Sequence, residues 1–308
     1  MAHNHSHSNG HDHGGSNYNR AFIISVALNT GFVIIEAFYG IIANSLALLA
    51  DAGHNLSDVL GLLLAWGASI LARRKPTARR TYGLRRSSIL AALLNAAFLL
   101  VISGGIGWEA ILRFREPAPV AGGTVITVAA IGIAINTISA LMFLSGRKSD
   151  LNIRGAFLHL VADAAVSVGV VLAGIAIIAT GWLWFDPAVS LIVTVVIVAG
   201  TWQLFQESLN LVTDAVPAGI EPLAVRTYLA ELPGVSSVHD LHIWAMSTTE
   251  TALTAHLVIP AGHPGDAFFT RVNRELHDNF GIEHATIQIE TGDPNYPCSL
   301  AQENENVV

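Results

Sequence analysis

Six long runs of apolar side chains, at about residues 20–42, 46–72, 88–112, 121–145, 153–180 and 185–207, fill the first two thirds of the chain. Each matches the roughly 20 apolar residues a helix needs to cross a bilayer, so the pattern predicts six membrane-spanning helices. Polar breaks separate them: Ala43-Asn44-Ser45, a basic stretch at 73–86, Arg115 to Pro119, Ser145 to Asp150, and Gly181 to Pro187. Beyond about residue 209 the apolar runs shorten and the charge density rises. There Glu221 to Glu231 reads as a short amphipathic helix stopped by Pro233-Gly234, and Val238 to Met246 and Thr251 to Ile259 read as strands joined by a polar turn. Gly265 to Phe280 follows as a second helix with a Gly281 stop, and Ala285 to Glu290 alternates as a third strand. The order α-β-β-α-β suits a small α+β layer structure, helices on one face of a sheet. A core of about 80 residues is marginal alone and gains from a partner surface. The expected division is a head at 1–19, a six-helix membrane domain at 20–208, a soluble domain at 209–292 and a tail at 293–308.

Composition supports that reading and narrows it. Only 13% of the 308 residues are charged, about half the usual share of about 25%. A single cysteine excludes a disulfide framework and a thiolate-rich metal site. The net charge of −7, with no basic run outside the short connections, argues against nucleic acid as a partner. Thirteen histidines stand out, because His3, His5, His7, His11 and His13 crowd the head in an alternating pattern. That composition is a cue for weak metal collection. It is not a signal peptide, which needs a basic start and then an apolar stretch.

Orientation follows from the connections. Residues 73–86 hold seven basic side chains and no acid, and the fourth-to-fifth connection adds Arg147, Lys148 and Arg154. Basic loops stay in the cytoplasm, so the His-rich head and the soluble domain share that compartment. The short loops suit a bacterial inner membrane.

Ionisable groups inside a span cost roughly 2.5–3.5 kcal/mol each on the insertion scale, so they are rare and usually functional. The second span carries His54 and Asp58, and the fifth carries His159 and Asp163. Both pairs read His-x-x-x-Asp, a spacing that stacks imidazole and carboxylate on one helix face. The two helices run in opposite directions. If their faces meet, two nitrogens and two carboxylate oxygens converge near mid-membrane, a set that suits tetrahedral zinc. Glu36 in the first span is either a proton carrier or the partner of a buried donor. Asp51, three residues before His54, is open to four parts: a ligand itself, support for the ligands, lining of the outer entrance, or a helix-end carboxylate.

Ser45-Leu46-Ala47-Leu48-Leu49-Ala50-Asp51-Ala52-Gly53-His54-Asn55-Leu56-Ser57-Asp58, the His159/Asp163 pair and Val238-His239-Asp240-Leu241-His242-Ile243-Trp244 carry a family resemblance. Over about residues 19–291 the chain resembles the cation diffusion facilitator family, in its zinc, cadmium and cobalt efflux branch. The resemblance implies a homodimer of six-span protomers, each with a cytoplasmic ferredoxin-like domain. It implies an antiporter that exports divalent metal from the cytoplasm against protons by alternating access. Such a protein is no enzyme and holds no prosthetic group, and zinc is its substrate and a regulatory ligand. The family's transport ligands fall on His54, Asp58, His159 and Asp163, and histidine at 54 points to zinc, with cadmium and cobalt beside it.

In the soluble domain the resemblance places cytoplasmic metal ligands at His239, His256 and Glu290, with His284 near a further histidine position. His242 is expected on the other side of its strand from His239, because positions three apart alternate. Many relatives carry a histidine and a glutamate before the third span, where this chain has Arg85 and Ser88. No loop metal site is expected there. Two other classes stay in view, a membrane-bound metal sensor that moves nothing and an intramembrane metalloenzyme. The second lacks a His-Glu-x-x-His motif.

Overall fold

A computed structural model describes residues 15–72, 74–144 and 151–301, apart from the side chains of 15–23, 62, 65, 66, 68, 69, 72 and 151–156. His3, His5, His7, His11, His13, Arg73, Arg147 and Lys148 lie outside the described residues. Six long helices come first: α1 (Gly15–Ile42), α2 (Leu46–Ala72), α3 (Ser87–Arg115), α4 (Gly122–Phe143), α5 (Leu151–Thr180) and α6 (Phe185–Val212). Then follow α7 (Pro222–Ala230), β1 (Ser237–Ala245), β2 (Thr251–Val258), α8 (Asp266–Phe280) and β3 (His284–Glu290). Five of the long helices, α1 from Ile24, α3, α4, α5 from Phe157 and α6, are long and apolar enough to cross a membrane. The sixth, α2, matches them at 27 residues and carries Asp51, His54 and Asp58 among its apolar side chains.

Chain contacts divide the molecule into two compact units. One comprises the segments through Leu60 and Phe98–Thr201; the other comprises Gly61–Ala97 and the chain from Trp202 onward. In the first unit, Phe32, Leu48, Val125, Val128 and Val170 form a buried apolar cluster. Glycines let its helices approach closely. A Cβ on Gly132 would meet the Phe32 ring at 2.6 Å, and one on Gly174 would meet Ile126 at 2.7 Å. Small residues at such crossings are the usual device of helices packed without a hydrophobic driving force.

One carboxylate organises the start of α2. Asp186, in the first turn of α6 and 1% exposed, accepts from the Leu46 amide at 2.8 Å and the Ala47 amide at 3.3 Å. It also accepts from the Ser45 hydroxyl. A side chain 140 residues away therefore does the work of an N-cap, satisfying amides that the first helical turn leaves without partners. Arg113 of α3 completes the clasp. It donates to the Asn44 carbonyl at 2.6 Å and to the Asn44 side chain at 2.8 Å, and lies 4.0 Å from Asp186.

In the second unit, α7 and α8 cover one face of a three-stranded sheet ordered β1-β2-β3. Val225, Leu229, Val272 and Leu276 of the helices bury against Val238, Ile243, Leu253, Ala255 and Leu257 of the strands. The pair β1/β2 is antiparallel and β2/β3 is parallel, since α8 carries the chain back to start β3 at the same end as β2. Gly281 ends α8 in the left-handed conformation, φ +65°, as the sequence pattern predicts. The face away from the helices carries the residues at alternate positions: Thr254 and His256 on β2, and Thr286, Gln288 and Glu290 on β3.

Replacing Asp186 with alanine should strip α2 of its cap and leave Arg113 facing a lost charge. The expected cost is about 1–3 kcal/mol, read as a lower melting temperature in detergent, with Asp186→Asn losing less. A wild-type melting curve for Asp186→Ala would contradict the clasp.

Candidate metal centres

Within the first unit, the His-x-x-x-Asp faces of α2 and α5 meet. The Nε2 atom of His54 lies 3.6 Å from an Asp58 oxygen and 3.4 Å from an Asp163 oxygen. The Nε2 atom of His159 lies 3.2 Å from Asp58 and 3.6 Å from Asp163. The two imidazole rings stand edge to face, 5.9 Å apart. A tetrahedral zinc with bonds of about 2.0–2.2 Å separates its ligand atoms by roughly 3.3–3.6 Å. The four nitrogen-to-oxygen separations fall close to that range, Asp163 turning one oxygen to each histidine, and all four residues offer a ligand atom within 4.8 Å of one another. Asp58 Oδ2 is buried without a hydrogen-bond donor, as an oxygen kept for a cation would be. Asp163 is almost fully buried, whereas the His159 side chain is 46% exposed.

Glu36 and Asp51, both fully buried, do not join the four. Glu36 accepts from the Asn55 side chain at 3.1 Å, one residue from His54. Asp51 accepts from the Ser167 hydroxyl at 3.0 Å, one turn from Asp163. These bonds tie α1 and α5 to α2 beside the four.

A second cluster sits in the second unit, on the helix-free face of the sheet. His239 lies 3.3 Å from Glu290 and His256 Nδ1 lies 3.0 Å from Glu290. The sulfur of Cys298 stands 3.6 Å from the same His256 nitrogen. All four offer a ligand atom within 4.8 Å of one another, and His239 Nε2 is buried without a hydrogen-bond partner. Burial pushes the Glu290 carboxyl up, but the hydrogen bond from Cys298 and the nearby His239 and His256 outweigh it and hold the group below the ordinary glutamate range. It is thus ionised, as metal binding requires.

Two expectations change here. His284 does not join this cluster; it lies exposed at the opposite end of β3, with its ring against Tyr82 at 5.7 Å. Six residues of strand put it roughly 20 Å from Glu290 at about 3.3 Å per residue. His242 lies on the same side of β1 as His239, because a bulge between them pairs His239 with His256 and His242 with Thr254, three residues against two. The bulge turns on Asp240, at φ +49°, a left-handed conformation that aspartate tolerates better than most residues. Its carboxylate reaches His242 Nε2 at 2.9 Å and His256 Nε2 at 3.4 Å. A carboxylate on Nε2 fixes the tautomer that leaves His256 Nδ1 free to bind metal.

Cys298 and Asp240 escape sequence reasoning. The only signal for the cysteine is its place eight residues after Glu290, and nothing in the pattern marks the bulge. Arg85 and Ser88 are engaged with protein groups. Arg85 pairs with Glu250 at 3.0 Å, and Ser88 accepts from the Thr248 amide at 3.1 Å. Among the described residues, metal-type ligands gather only at the two clusters above.

Comparison with known proteins finds two family models that together cover most of the chain. The family model described as the cation efflux transmembrane domain matches residues 22–211, and that of the cation efflux protein cytoplasmic domain matches 217–292. A protein of Bacillus velezensis named "Cadmium, cobalt and zinc/H(+)-K(+) antiporter" is 40% identical, over 97% of this chain and 95% of its own length. The Escherichia coli "Zinc transporter ZitB" is 38% identical, over 94% of this chain and 93% of its own. The Cupriavidus metallidurans "Metal cation efflux system protein CzcD" is 38% identical, over 94% and 91%.

Because Cys298 is the only cysteine, its alkylation reports the second cluster directly. Zinc or cadmium should slow the reaction of the full-length protein with a maleimide, at least severalfold. His256→Ala should remove that protection, so that the variant reacts at the same rate with and without metal. Equal rates with and without metal in the wild-type protein would exclude the thiol as a ligand.

Proposed function

This chain belongs to the cation efflux family, and we propose that it is an antiporter exporting divalent metal, zinc first with cadmium and cobalt beside it, from the cytoplasm in exchange for protons. One observation carries the reading: His54, Asp58, His159 and Asp163 bring imidazole nitrogens within 3.2–3.6 Å of carboxylate oxygens, and each offers a ligand atom within 4.8 Å of the others. Imidazole favours zinc over magnesium, calcium or manganese, and the absence of sulfur from this set disfavours monovalent copper.

The same four groups couple metal to protons. Metal needs neutral imidazole and ionised carboxylate, so binding expels protons and acid expels metal. Facing the cytoplasm, the site loads zinc and gives up protons. Facing out, where protons are more plentiful, the imidazoles take them up and zinc leaves; histidine's unperturbed pKa of about 6.5 makes a modest gradient sufficient. Asp51 and Glu36 flank this exchange as buried carboxyl groups that hold the helices and carry protons. Alternating access follows when two packings of the helices differ in which side reaches the four ligands.

The reading extends to the whole molecule. It is a homodimer of multi-pass protomers in a bacterial inner membrane with both termini cytoplasmic, supported by the basic stretch at 73–86. The domains run 20–208 in the membrane and 209–292 in the cytoplasm. Zinc at His239, His256, Glu290 and Cys298 acts there as a regulatory ligand that biases the packing of two protomers. The histidines of the head collect metal weakly. A metalloenzyme is disfavoured by the four protein ligands, which close the coordination sphere to substrate.

Reconstituted in vesicles with a pH probe inside, the protein should take up zinc with a matching proton movement. His54→Ala and Asp163→Ala should each reduce uptake to background, and His3→Ala should barely change it. Metal binding without uptake would instead identify a sensor.

A further inference from the structure

The connection between α2 and α3 is a fixed object with more positive charge than its protein neighbours neutralise. Thr77 and Arg80 exchange two backbone hydrogen bonds of 3.0 Å, and the Gly83 amide donates to the Arg80 carbonyl at 2.8 Å. Gly83 sits at φ +73°, where a Cβ would come within 3.1 Å of the Arg74 carbonyl, so glycine is required for the turn. Beyond the turn, Arg85 pairs with Glu250 and Arg86 with Asp214. Arg74, Lys75, Arg79 and Arg80 are exposed and have no acidic partner among the described residues.

Those cations do not face an open plain. Arg79, Arg80, Tyr82, Leu90, Trp244 and Met246 line a groove of about 450 Å³. Leu90 is half exposed in the first turn of α3, and Leu94, 63% exposed, continues the same face one turn on. The groove therefore leads from arginines onto an apolar helix stripe. Because α2 and α3 are read as membrane spans, their connection lies at the level of the lipid headgroups, and the stripe runs from Leu90, beside Trp244 and Met246, toward the acyl chains at Leu94.

We propose that this groove binds an anionic phospholipid, its phosphate between Arg79 and Arg80 and an acyl chain along Leu90 and Leu94. Free phosphate would satisfy the arginines but not the leucines. The apolar wall commits the site to a lipid. The inference uses only the placement of α2 and α3 in a bilayer and is independent of what the protein transports.

The test uses full-length protein in nanodiscs of phosphatidylcholine with a minority of phosphatidylglycerol, and counts retained lipids by native mass spectrometry. Wild-type protein should retain phosphatidylglycerol preferentially. The double variant Arg79→Gln/Arg80→Gln should lose about tenfold or more of that preference, as expected for two basic residues at an anionic surface. Arg79→Lys/Arg80→Lys should keep most of it, which separates charge from loop integrity, because the turn rests on backbone bonds. An unchanged preference in the glutamine variant, or retention indifferent to headgroup, overturns the proposal. Displacement of the lipid by millimolar inorganic phosphate overturns it too, in favour of a site for the free anion.

Discussion

Two carboxylates and two imidazoles in a hydrocarbon slab tolerate very few arrangements. Each alone would be costly to bury. Gathered on α2 and α5 with nitrogen-to-oxygen separations of 3.2–3.6 Å, they compensate one another and form the socket we propose for one divalent cation. Most other features of the membrane helices serve that convergence. The i, i+4 spacing places each pair on one face, and the antiparallel course of the helices lets each histidine reach the other helix's aspartate. Glycines at 132 and 174 remove the bulk that would hold α1, α4 and α5 apart.

A socket between helices is only as well placed as the helices themselves. Asn55 and Ser167, close in sequence to ligands, are bonded to buried carboxylates, and Asp186 caps α2 from a different span. Each contact satisfies a polar group that lipid could not. This dual use of polar groups explains why a membrane domain keeps so many of them: the ones that are not ligands hold the ligands still. Where they differ is in reach. Asn55 and Ser167 act within a turn of the site, whereas Asp186 and Arg113 fasten the end of α2 that lies before Asp51.

Legibility in the sequence followed the range of the interaction. The long apolar runs, the repeated His-x-x-x-Asp and the stop at Gly281 are local patterns, and each appears in the structure where the pattern puts it. Nothing local in the sequence marks Asp186 as the cap of α2, because its partners lie 140 residues away. The soluble domain shows the same limit. Alternation along β1 puts His239 and His242 on opposite faces, but the bulge at Asp240 adds a residue and brings them to one. The family resemblance put His284 near a histidine position, yet a straight strand cannot bring both its ends to one ion. Cys298 reaches the cluster through irregular backbone beyond β3, where no period exists to be read.

The two clusters differ in one donor, and the difference has a physical consequence. The set in the membrane is two nitrogens and two oxygens; the set on the sheet is two nitrogens, one oxygen and one sulfur. Thiolate binds zinc and cadmium more tenaciously than carboxylate does, and a soft donor favours cadmium in particular. A carrier must release its cargo on every cycle, so a thiolate in the membrane set would trap the ion that the protein exists to move. Imidazole and carboxylate can both be protonated under mild conditions, and protons can then displace the metal. A site that reports metal rather than passing it on has no such constraint, and slow release there preserves the signal. The placement of the only cysteine outside the bilayer set is therefore consistent with a division of labour, in which one cluster exchanges its ion and the other retains it.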